Sequence, residues 1–323
     1  MTIRVGVVGT GFAAKERIKA FQQDDRTKLV AIAGYTPTKT QELADTFQVK
    51  STLNWQSLIK DFGLDLIVIS NINSLHGEIA AMALSYGLHV IVEYPLCLEI
   101  QQAELLLDLA HSQSRLLHVE HIELLGSLHQ TFKQHLPALG NCFYARYVTI
   151  NAQRPAPDRW TYHRQQFGFP LMAALSRLHR FTDLFGTVVT VSCQNRYWGE
   201  GENFKACLCT ARLNFTQGLV AEVTYGKGEV FWQEARDLAI HGDQATLAFV
   251  GDQGSLIRGE GVQEIALGSR RGLFALDSKM VIDHLIAGTP LYTSANASFY
   301  TLKVAEAARV SALSGQTIAV SDV

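Results

Sequence analysis

Apolar and polar positions follow two different rhythms along the chain. Up to residue 121, unbroken apolar runs at 3–8, 29–34, 64–70, 89–93 and 116–120 alternate with helical periods at 12–21, 38–47, 76–86 and 100–112. Strands covered by helices on both faces read as unbroken rather than alternating apolar runs, so the five runs predict a doubly wound parallel sheet. Beyond residue 121, runs rich in aromatic and β-branched residues at 142–152, 188–198, 206–215, 219–225 and 238–241 lie at hairpin spacing. Gly218 and Gly242-Asp243 supply turns between them. Helical periods return at 171–185, 273–287 and 297–314. The pattern predicts an α/β chain of two domains. Residues 1–121 form the parallel sheet, and residues 122–323 an α+β domain on a large, mostly antiparallel sheet.

The first strand runs into Gly9-Thr10-Gly11 and then a helix, with Ala14 completing the spacing G-x-G-x-x-A. A tight glycine turn opening a helix offers unpaired N–H groups and partial positive charge to a pyrophosphate, the signature of a Rossmann dinucleotide site. Gly9, Gly11, Phe12 and Ala13 are the residues expected around it. The second strand ends in Gly34-Tyr-Thr-Pro-Thr-Lys-Thr40, with no carboxylate to hold the ribose hydroxyls. Thr36, Thr38 and Lys39 can instead receive an extra phosphate, which predicts NADPH, with NADH accepted less well; a polar helix-initiating loop without selectivity is the alternative. Asn71, Asn73, His76, Glu93 and Tyr94 stand at the carboxyl ends of later strands, where the rest of the cofactor is expected.

Composition narrows the class. The chain has 323 residues, 47% apolar and 18% charged, with a net charge of −2, which gives no electrostatic ground for binding nucleic acid or an anionic membrane. No basic, apolar leader opens it and no apolar run nears 18 residues, so a cytoplasmic protein is expected, as monomer or weak homodimer. The five cysteines are scattered without metal spacing; Cys207 and Cys209 would share a strand face as packing residues, and no metal is expected.

Gly9-Thr-Gly11, Asn73-Ser-Leu-His76 and Glu93-Tyr-Pro95, followed by an antiparallel-sheet domain, resemble the glucose–fructose oxidoreductase and inositol dehydrogenase superfamily. Most members carry Glu-Lys-Pro where this chain has Glu93-Tyr-Pro95, and an Asp-x-Gly-x-His-x-x-Asp stretch on a later helix. Aligned to end on Asp183, that stretch meets Ser176, Leu178 and Arg180, so the alcohol-oxidising set is incomplete. A sugar or cyclitol dehydrogenase, or a non-catalytic dinucleotide sensor, are the alternatives within the fold. The strings 117–125, 159–163, 165–170, 176–186, 225–231 and 268–274 are similar to the biliverdin reductase branch, of the cyanobacterial type. That resemblance implies an oxidoreductase using NADPH to reduce biliverdin to bilirubin, with hydride delivered to the central methine carbon and a proton to a pyrrole nitrogen.

Biliverdin is flat, conjugated and doubly anionic, so its site needs apolar surface and cations. Residues 154–180 offer Arg154, Arg159, Trp160, Tyr162, His163, Arg164, Phe167, Phe169, Arg177 and Arg180. Arg159, Trp160, Tyr162, Arg177 and Arg180, with His121, are the substrate-binding candidates. Core packing accounts for Trp160, Phe167 and Phe169 as well, solvation for Arg154, Arg159 and Arg164, and an ion pair with Asp183 for Arg180. Arg270 and Arg271 read as surface residues. Arg177 is the foremost catalytic candidate, because the resemblance matches it to an arginine that assists reduction. Tyr94 either gives a proton or shapes the pocket, and Glu120 or Glu123 can orient a water. His76, His118 and His121 also have a structural reading.

Overall fold

The N-terminal apolar run forms β1 (Ile3–Val8), and Gly11 caps α1 (Phe12–Gln22) immediately after it. The computed structural model describes residues 2–269 and 271–323, so the sequence reading of Arg270 lies outside the described residues. There follow β2 (Thr27–Ala33), α2 (Pro37–Phe47), β3 (Lys50–Thr52), α3 (Trp55–Asp61), β4 (Leu66–Ile69), α4 (Asn73–Ser85), β5 (His89–Glu93), α5 (Ile100–Ser112) and β6 (Leu117–Glu120). The six strands are parallel, in the order β3-β2-β1-β4-β5-β6. This is the doubly wound order, with the strand sequence reversing between β1 and β4. The five predicted strands are all present. The sixth, β3, is a three-residue polar edge, too short and too hydrophilic to make an apolar run. Helix α4 starts three residues earlier than its apolar period, at the buried Asn73.

Next come α6 (Ser127–His135), β7 (Cys142–Ala152), α7 (Arg164–Phe167), α8 (Pro170–Ala173), α9 (Ser176–Phe185), β8 (Val188–Trp198), β9 (Ala206–Phe215), β10 (Val220–Gly228), β11 (Ala235–Gly242), β12 (Thr246–Val250), β13 (Gln253–Arg258) and β14 (Gly261–Ala266). The chain closes with α10 (Leu273–Ala287), α11 (Ala295–Ser314) and β15 (Ile318–Ala319). The second sheet has nine strands in the order β14-β13-β12-β11-β7-β10-β9-β8-β15, antiparallel throughout except at the central β7–β10 pair. Cys207 and Cys209 are fully buried in β9, where burial pushes both thiols up, as packing residues should be. The single helix expected over 171–185 is two. Ala174 leaves helical geometry (φ −107°, ψ 35°), while Leu171, Leu175 and Leu178 stay buried on either side, so the apolar period runs straight through the break.

Chain order and compactness part company at the end. One compact unit comprises residues 1–122 together with 271–299, and the other 123–270 together with 300–323. Compactness thus adds α10 and the segment after it to the residues of the first linear domain. Ile18 and Phe21 of α1 share a fully buried core with Val281 and Ile282 of α10, side chains that each contribute about 1.5–3 kcal/mol when removed from water. Among the described residues, no helix is long and apolar enough to cross a membrane.

Candidate functional site

In the first unit the glycine turn follows β1, at the carboxyl ends of the strands where their order reverses. Gly9 has φ +129°, and a Cβ there would strike the Ser70 carbonyl at the end of β4, so the turn demands glycine twice over. Gly11 has an ordinary φ, and no described atom lies within 4 Å of where its Cβ would stand. The α1 N-terminus beside it has no side-chain cap, and Asn71 Oδ1 is buried without a partner. An uncapped helix start, open space and an orphaned amide oxygen fit a dinucleotide. Phe12 is 73% exposed and Ala13 half-buried at the same turn. Thr36 is the N-cap of α2 with an idle side chain, and Thr36, Thr38 and Lys39 are all exposed around that helix start.

His76 of α4 packs against the same strand ends. It is buried, with Nδ1 2.8 Å from the Pro95 carbonyl and Nε2 3.3 Å from that of Asn71. Burial lowers its pKa and so favours the neutral ring, with each ring nitrogen facing a carbonyl oxygen. His76 thus ties the segment after β4 to the segment after β5. Tyr94 is half-buried, and its ring stacks on His121 at 5.4 Å and 5° between planes. His121 is fully buried, with Nε2 2.8 Å from Ser298 Oγ. It supports the Tyr94 ring from a buried position.

Behind Tyr94 is a buried charge network whose central member escaped sequence reading. Arg17 of α1 has no exposed side-chain surface and donates to Glu93 (3.0 Å), Asp277 and Ser278 (3.1 Å). Asp277 also pairs with His118 Nε2 at 2.7 Å. Burial alone would raise the Asp277 carboxyl, but Arg17 and His118 outweigh it and hold the group well below the usual carboxylate range. Glu120 is 2% exposed and accepts from the Ile122 amide at 2.5 Å. A signal existed: Arg17 interrupts the apolar stripe of Ala14, Ile18 and Phe21, and Asp277 stands four residues before Val281. Both are polar positions on helix faces that must be buried.

In the second unit, α9 lies over the central strands of the large sheet. Arg177 and Arg180 project three residues apart toward one sheet face. The Arg177 guanidinium carbon is 5.7 Å from the Tyr225 ring centroid, and its Nη1 donates to Ser176 Oγ at 2.8 Å. Arg180 is 1% exposed, 5.6 Å from the Tyr147 centroid, and donates to Glu123 at 3.3 Å. The pairing of Arg180 with Asp183 is therefore not made. Asp183 instead accepts from His129 (2.7 Å) and Lys133 (3.2 Å), partners on α6 that sequence spacing could not reveal. Glu123 is occupied in orienting Arg180.

The aromatic segment before α9 divides. Tyr162 is 1% exposed, packs on Phe204 at 5.2 Å and donates to Gln153 at 2.8 Å; burial pushes its hydroxyl up to about 12. It packs as a core residue, with its ring covered by Phe204 and the Lys227 ammonium. Trp160 is half-buried and Arg159 exposed, so both retain surface. Lys227, unremarked beyond its string, anchors this turn through a 2.6 Å bond from Nζ to the Thr161 carbonyl.

Comparison with known proteins agrees with this architecture. A profile of the Gfo/Idh/MocA oxidoreductase family, NAD-binding Rossmann fold, matches residues 3–121, and that of the family's C-terminal alpha/beta domain matches residues 137–320. A structure of biliverdin reductase from Synechocystis sp. PCC 6803, in complex with biliverdin and NADP+, is 53% identical, covers 96% of this chain and 98% of its own, and superposes with a TM-score of 0.94. Biliverdin reductase A of Mus musculus is 28% identical over 59% of this chain, and that of Homo sapiens 25% identical over 64%. The chain spans 62% and 66% of the length of those two relatives. Levoglucosan dehydrogenase, 18% identical with a TM-score of 0.85, shares the fold.

Proposed function

The chain belongs to the Gfo/Idh/MocA oxidoreductase family, and from that premise we propose that it reduces biliverdin to bilirubin with NADPH. The observation that carries the reading is the 53% identity, over nearly the whole of both chains, to a reductase holding biliverdin and NADP+. NADPH supplies the hydride; the chain's own residues bind, orient and exclude water. Gly9, Gly11, Phe12 and Ala13 receive the pyrophosphate, Thr36, Thr38 and Lys39 the extra phosphate, and Asn71, Asn73, Glu93 and Tyr94 line the remainder. Arg177 acts on the bilin, with Arg180 and Glu123 as its support, and Trp160 and Arg159 present further surface to the ligand. Tyr94, stacked on His121, is suited to shaping a flat pocket. Mixing the protein with NADPH and biliverdin should bleach the long-wavelength biliverdin band while the bilirubin band grows. Cofactor binding without that change would point to a sensor, and oxidation of a polyol instead to a dehydrogenase.

The cofactor preference has its own test. Thr36→Asp places a carboxylate where the extra phosphate is received. Aspartate is a good N-cap and its charge suits a helix start, so α2 itself should not suffer. We expect the KM for NADPH to rise about tenfold, ~1.4 kcal/mol, with that for NADH nearly unchanged. Equal losses for both cofactors would refute the assignment of this loop.

A further inference from the structure

The register of the parallel sheet pairs Glu93 of β5 with Glu120 of β6, which puts two carboxyl groups side by side on one face. His76 lies near Glu93, and the Ser70 hydroxyl donates to it at 3.4 Å. Arg17 faces them from α1, Asp277 from α10 and the Tyr292 hydroxyl from the segment after α10, while His118 is bonded to Asp277. Arg17 already serves Glu93 and Asp277. One guanidinium cannot neutralise the buried Glu120 and Asp277 together with the half-buried Glu93.

We propose that Glu120 is a positioning residue whose carboxyl donates a hydrogen bond to Glu93, so that the pair carries a single charge. It thereby holds the strand end from which Tyr94 projects. Burial, then repulsion from Glu93 and the bond to it, keep the Glu120 proton on well above the usual carboxylate range. Its Oε1 accepts from the Ile122 amide. Glu120 passes no proton to a substrate. The inference rests on the reading of the chain as an NADPH-dependent bilin reductase only in its kinetic arm.

Glu120→Gln keeps a neutral donor of the same shape, whereas Glu120→Leu removes the donor. The Gln variant should turn over biliverdin within about twofold of the parent at pH 7, and the Leu variant should show a KM for NADPH raised at least about fivefold. A thermal arm needs no substrate. A carboxyl whose folded pKa is raised contributes stability fully present below its unfolded pKa and lost as pH rises toward the folded one. The melting temperature of Glu120→Gln minus that of the parent should therefore grow by more than about 3 °C between pH 4.5 and pH 7. A flat difference would mean that Glu120 is ionised in the fold, and a hundredfold loss of turnover in the Gln variant would make it a proton-transfer group; either overturns the proposal. The thermal difference in a protein inert toward biliverdin would uphold the positioning role and refute the reductase reading.

Discussion

Replacing Arg177 with alanine should lower biliverdin turnover more than about tenfold, at least ~1.4 kcal/mol of barrier, while NADPH still binds. Arg177 is half-buried over Tyr225, in a string that resembles those of the cyanobacterial-type reductases. A cation there can stabilise charge on the bilin as hydride arrives, or fix a propionate. The two roles separate kinetically. An interaction made only in the transition state is lost from kcat, whereas a uniform anchor is lost from KM alone. We expect the kcat effect. Arg180→Ala should be milder for turnover, because Arg180 is fully buried and its guanidinium is paired with Glu123. Steady-state kinetics with biliverdin varied at saturating NADPH decides the matter. Near-normal kcat in a folded Arg177→Ala protein would remove the assignment.

The largest effect on stability is expected at Arg17. Arg17→Met preserves the length of the side chain and strands Asp277 and Glu93 without their cation. Breaking such a buried pair costs about 3–5 kcal/mol, enough to lower the melting temperature by roughly 10 °C. The pH dependence should reverse sign. In the parent, Asp277 is held below its ordinary pKa, so its contribution is present above that value and lost as pH falls through the folded pKa. Without Arg17, burial dominates and raises the Asp277 pKa, so acidification to pH 5 should narrow the gap between variant and parent. Melting curves from pH 5 to 8 would show it, and a deficit that widened on acidification would contradict the account.

Much of this was legible in the residues. The glycine turn could be placed because Gly9 and Gly11 answer to local needs, a positive φ and open space, that spacing alone encodes. The parallel strands were legible because each is buried on both faces and so reads as unbroken apolar sequence. What could not be read is whatever depends on partners far along the chain. Arg180 meets Glu123, 57 residues away, instead of Asp183, and His121 is covered by Ser298, 177 residues on. Side-chain access was equally hidden: Tyr162 has a ligand-like composition around it and a core-like environment in fact. The break at Ala174 was invisible because burial continued across it.

The return of residues 271–299 to the first unit has a consequence for how the protein is made. A ribosome emits the parallel sheet first, with Arg17 already committed to the inner side of its helix. Its counter-charge, Asp277, lies 260 positions later in translation. Until then the nascent dinucleotide domain has only Glu93 to answer that cation, and the apolar stripe of α1 lacks its cover from Val281 and Ile282. That domain cannot be finished as an N-terminal fragment; it waits for the second domain to be synthesised before it can close.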